Sequence, residues 1–152
     1  NGHEIKNMTI NCPENNYKSD TKGFFGIIQY GTVKNLTVSG SVTGRDYIGG
    51  IAGNFIAGNL ENCVNKCVVT AVNNPEYTGG IAGNIRYNGF GGEDFKTSNV
   101  VKCVNLGKVS GPGAVQCQSH IDKRIEHIIC QVSRSFFVQE CGIHVHIRGQ
   151  FF

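Results

Sequence analysis

The chain has 152 residues, a net charge of +3, 16% charged residues and 39% apolar residues. That weak, dispersed charge gives no electrostatic case for nucleic acid or an anionic membrane, and no run nears the roughly 18 apolar residues of a membrane helix. With 21 Gly, abundant Asn, no Trp and one Met, the composition favours short strands joined by turns over helices.

The chain opens "NGHEIKN", without an initiator Met or a hydrophobic signal run, and so reads as a fragment or a processed product. His3-Glu4 resembles the start of the His-Glu-x-x-His zinc-protease signature, but Asn7 stands where the second His is needed. Ile5-Lys6-Asn7-Met8-Thr9-Ile10 matches Val33-Lys34-Asn35-Leu36-Thr37-Val38 further on, which marks a partial first unit near residues 5–22. Both segments also carry the Asn-x-Thr glycosylation pattern, which the repeat itself explains.

Three fuller units follow, near residues 23–49, 50–79 and 80–113. Each starts with Gly-apolar-x-Gly: Gly23 and Gly26, Gly50 and Gly53, Gly80 and Gly83. The last two extend to Gly-Gly-Ile-Ala-Gly-Asn, ending at Asn54 and Asn84. A second block then begins at Val33, Leu60 and Val100, with Leu36, Cys63 and Cys103 at its fourth position. The step from first Gly to fourth position is the same from Gly23 to Leu36 and from Gly50 to Cys63, and longer from Gly80 to Cys103. The extra residues of that last unit fall in the Gly-rich stretch from Arg86 to Phe95. Leu36, Val38, Gly40 and Val42 alternate with Thr37, Ser39, Ser41 and Thr43, the period of a half-buried strand.

A unit this short cannot bury its apolar side alone, whereas stacking on its neighbours can. The expected architecture is all-β: a parallel β-solenoid of about three coils, right-handed by the usual sense of crossover connections. The twice-written Gly-Gly-Ile-Ala-Gly-Asn is then a structural place where Gly supplies positive φ or close approach, rather than a functional loop used twice. Asn54 and Asn84 would form a side-chain amide ladder. Cys63 and Cys103 would lie in one column as buried free thiols, and Cys12 and Cys67 would share another. The Thr array is too short for an ice-binding face.

Gly50-Ile51-Ala52-Gly53, Asn62-Cys63 and Gly107-Lys108-Val109-Ser110-Gly111 resemble the GLUG-type repeat. That family occurs in bacterial secreted and cell-surface proteins, including metallopeptidases that cleave immunoglobulin A. The resemblance covers about Ile5 to Gly113. It implies a non-catalytic, extracellular stalk or adhesin-like segment; the alternative is an accessory arm of a larger extracellular protease or glycan-active enzyme. The implied partners are neighbouring repeats and a host or matrix protein or glycan, with no cofactor and no membrane insertion.

Arg86, Tyr87, Phe90 and Phe95 on the Gly-rich insertion are the candidate ligand-binding residues, against a plainer reading as a tolerated insertion that packs its own aromatics. The eleven carboxylates are dispersed, and the adjacent pair Glu93-Asp94 lacks the spacing of two catalytic carboxylates. No catalytic residue is assigned.

The composition changes after Gly113: residues 114–152 contain no Asn, against sixteen before, and hold four of the five His. Ile121, Ile125, Ile128, Ile129 and Val132 have helical spacing, with Ser119 and Asp122 as a capping box, and Ile143, Val145 and Ile147 alternate as in a strand. This tail is read as a helix-plus-strand cap over the last coil; a frameshift past the last repeat is the competing account. Its Cys117, His120, His127, Cys130, Cys141, His144 and His146 match no common zinc-finger spacing.

Overall fold

A computed structural model describes residues 2–13, 21–73, 77–86 and 98–111, and these residues are all-β with parallel strands. In chain order the strands are β1 (His3–Asn11), β2 (Phe25–Lys34), β3 (Leu36–Gly44), β4 (Tyr47–Gly49), β5 (Ala52–Glu61), β6 (Val64–Ala71), β7 (Tyr77–Gly79), β8 (Ala82–Arg86), β9 (Ser98–Val101), β10 (Val104–Asn105) and β11 (Val109–Ser110). They form three sheets, and each sheet takes its strands from successive units. One holds β1, β3 and β6, with β10 and β11 both on β6; another holds β2 and β5, with β8 and β9 both on β5; the third pairs β4 with β7.

The register is the sequence alignment made physical. Gly40 pairs with Cys67 and Val42 with Val69, each the equivalent position one unit on. Asn54 pairs with Asn84 in the same way. Across the insertion, Leu60 pairs with Val100 and Val64 with Val104. The extra residues are absorbed between β8 and β9, so the ladder resumes without a slip. Period-two alternation turns Leu36, Val38 and Val42 inward, where they join Cys63, Cys67 and Val69. Phe55, Leu60, Ile48 and Ile51 complete a core with no exposed surface at those four side chains.

The chain turns between β2 and β3, between β5 and β6, and between β9 and β10 through one column of residues in the left-handed region: Asn35 (φ 55°), Asn62 (φ 51°) and Lys102 (φ 53°). Asn tolerates this conformation because its short amide bonds locally; Lys has no such compensation.

The partial first unit corrects the sequence alignment. Ile5 pairs with Val38, Met8 with Gly40 and Ile10 with Val42, around a bulge at Asn7 (φ 56°). The expected match of Ile5 to Val33 would have set Pro13 opposite Ser41, inside the ladder, where proline has no N–H to give. In the observed register the Cys12 N–H bonds the Thr43 carbonyl at 2.9 Å, and Pro13 falls beyond the strand. The expected Cys12–Cys67 column is wrong for the same reason: Met8 and Gly40 stand in line with Cys67, and Cys12 lies further along, beyond the end of β1.

Lys102→Asn installs the residue that its column carries twice and should relieve the left-handed strain. The expected gain is about 1 kcal/mol, read as a rise in the chemical-denaturation midpoint at unchanged m-value; an unchanged or lower midpoint would refute the strain at this corner.

Candidate functional site

The parallel register sets identical side chains one above another, and among the described residues four amide ladders result. Asn84 donates to Asn54 at 3.3 Å in the buried interior, as expected from the sequence. Three more were not foreseen. Asn65 donates to Asn105 at 2.8 Å. Asn99 donates to Asn59 at 2.9 Å, and Asn59 in turn to the Thr32 hydroxyl at 3.2 Å. Asn62 donates to Asn35 at 2.7 Å at the outer corner. The signal was present as Asn recurring at the repeat offset. Tyr47 and Tyr77 extend the rule to aromatics, with rings stacked at 5.0 Å and 15°. Lys34 and Glu61, paired across β2 and β5, form an ion pair at 2.9 Å.

Asn65 explains the second glycine of the doubled pair, while the first, Gly49, packs against the Ala52 carbonyl. The Asn65 side chain is fully buried, and its Oδ1 accepts the Cys67 N–H at 2.9 Å. A Cβ on Gly50 would collide with that amide, and a Cβ on Gly80 would collide with Asn105 in the next unit. Gly53 and Gly83 likewise leave no room, each packing against the backbone of a neighbouring turn. None of these four glycines has a positive φ. Of the two roles expected for them, close approach is therefore the one they play. Gly23 is similarly crowded by Ala52 and Gly49, while Gly26 meets only ordinary contacts.

Cys63 and Cys103 are buried free thiols in one column, each directly preceding the paired residues Val64 and Val104. A hydrogen bond from Cys103 stabilises the Cys63 thiolate and, against the opposing effect of burial, pulls its pKa down to about 7. That same bond, with burial, pushes the Cys103 thiol upward. The pair thus loses its first proton readily and holds its second. Cys67 is raised by burial alone.

Of the four candidate binding residues, Arg86 is described: it ends β8 exposed, paired with Ile56. Tyr87, Phe90 and Phe95 lie outside the described residues, as do Glu93-Asp94 and the whole of the tail with its Cys and His. The foot of the insertion is held by a residue the sequence reading missed. The buried Ser98 hydroxyl accepts the Ala57 N–H at 2.8 Å and donates to the Arg86 carbonyl at 2.7 Å. The insertion thus leaves and rejoins β5 at a clamped point. Among the described residues, no three His, Cys, Asp or Glu side chains gather as a metal site, and no helix is long and apolar enough to cross a membrane.

No family model, curated protein or solved structure matches this chain.

Two substitutions test this account of the columns. Asn65→Ala orphans the Cys67 N–H and breaks a ladder, and should cost about 1–3 kcal/mol. Thr78→Val acts oppositely. Thr78 is paired with Ile48, and its buried hydroxyl has no hydrogen-bond partner among the described residues. Removing that hydroxyl at constant shape should add about 1 kcal/mol. Thermal and denaturant melts of both variants give the two signs.

Proposed function

We propose that the repeats wind as a right-handed parallel β-solenoid of the GLUG-type repeat class. In this reading the chain is a non-catalytic stalk or adhesin-like segment of a bacterial secreted or surface protein. Its work is to set a distance between other domains and to offer an elongated face to a host or matrix protein or glycan. The observation that carries this is the register: the three fuller units pair in parallel at equivalent positions, and they do so across the insertion as well. A unit built this way docks on any copy of itself, so length follows from repeat number. The Ser98-clamped insertion is where such a surface departs from strict repetition, and it is the preferred place for a ligand.

Repeat number is testable directly. Gly50 and Gly80 open equivalent units, so residues 50–79 can be duplicated in tandem without changing the register. The enlarged chain should melt cooperatively at higher temperature and lengthen by about 4.8 Å, the spacing between paired strands, in small-angle scattering. Loss of cooperative melting, or growth in girth rather than length, would sink the reading.

A further inference from the structure

We infer that Cys63 and Cys103 form a two-ligand site for a soft, linearly coordinated metal ion of the copper(I) or mercury(II) class, held between two successive units.

The two residues occupy one register position on paired parallel strands, since Val64 and Val104 follow them and pair directly. Neighbouring strands lie about 4.8 Å apart, with side chains running side by side. A disulfide needs Cβ atoms about 3.8 Å apart and a sulfur–sulfur bond of about 2 Å, closer than such a column brings them. Two metal–thiolate bonds of about 2.3 Å laid end to end span about 4.6 Å, which matches the column. A linear ion would stand between the two sulfurs, in the column that their register sets.

The surroundings favour a cation between the sulfurs. Cys63 Sγ lies 3.3 Å from the Glu61 carbonyl oxygen and 3.6 Å from that of Val33. Cys103 Sγ lies 3.5 Å from the carbonyl oxygens of Leu60 and Val101. Four carbonyl dipoles therefore turn their negative ends towards this pair. Both side chains are at least nine-tenths buried, which excludes water as a competing ligand.

Ligand number selects the ion. No third His, Cys, Asp or Glu joins them among the described residues, so the four donors of a zinc site are not assembled there. Two soft sulfur donors suit copper(I) and its heavier analogues. Charge balances without leaving a buried net charge, which would be costly. Mercury(II) displaces both thiol protons and leaves a neutral bis-thiolate. Copper(I) displaces one proton and leaves the second sulfur as a neutral thiol donor. Cys67 is an internal contrast: it is also buried, but Gly40 stands beside it in register and Gly107 packs on its carbonyl, so no second cysteine pairs with it among the described residues.

The test uses the full chain carrying Cys12→Ser, Cys117→Ser, Cys130→Ser and Cys141→Ser, so that only the three buried thiols remain. One equivalent of copper(I), supplied anaerobically as its acetonitrile complex, and in a parallel arm mercury(II) chloride, is added. Native mass spectrometry, X-ray absorption and thermal melting are then recorded. The expected result is one tightly bound ion with two sulfur neighbours and a raised melting temperature, unchanged in Cys67→Ala. Affinity should fall at least tenfold in Cys63→Ala and in Cys103→Ala. Cys63→Leu, which copies the Leu36 of the same column, should stay folded and lose the ion. Uptake by Cys63→Leu equal to the parent, or a coordination shell of more than two sulfurs, overturns the proposal.

Discussion

Parallel pairing of each unit with the next is the constraint on which the rest depends. A parallel ladder places every residue beside its equivalent one unit away, at a spacing of about 4.8 Å. A residue type is therefore acceptable only if it is compatible with itself at that distance. Small apolar residues, amides and aromatic rings meet that condition; like charges do not. The columns follow this rule: Val42 with Val69 and Val109, Asn54 with Asn84, Tyr47 with Tyr77. Where charge does stack, as at Lys34 and Glu61, the signs are opposite.

Buried amides gain most from this arrangement. A lone Asn in an apolar interior leaves donors and acceptors unpaired, at a cost of about 1–3 kcal/mol per group. A stacked Asn bonds its neighbour above, and its oxygen can serve its own backbone. Asn65 does both, satisfying the Cys67 N–H and reaching Asn105. The second glycine of each pair admits these amides and the first packs against the backbone carbonyl of Ala52 or Ala82, so the most conspicuous motif in the chain is a packing requirement. Thr78 marks a limit of the rule, for it sits in register with Ile48 and its hydroxyl gains no partner among the described residues.

Tolerance of insertion follows from the same logic. The extra residues after Arg86 disturb neither β8 nor β9, because both strands pair with β5 independently. Ser98 ties the two ends together through one hydroxyl. Such a unit can vary its insertion while the ladder stays fixed, which is how a repeat scaffold accommodates a recognition surface.

The sequence by itself determined the all-β character, the repeat offsets and most of the register, because Gly and Asn at fixed spacing and period-two apolar residues report directly on stacking. It also placed Asn54 beside Asn84 and Cys63 beside Cys103. Tertiary structure alone decided the pairing of the first strand, since Ile5–Ile10 resembles more than one stretch of the next unit. There the position of Pro13 and the bulge at Asn7 choose between alignments. It alone showed that the glycines serve close approach, because composition cannot tell a crowded backbone from a left-handed one. And it alone brought out Ser98 and the Asn65 network, whose meaning lies in contacts between residues far apart in the chain that only folding brings within hydrogen-bond reach.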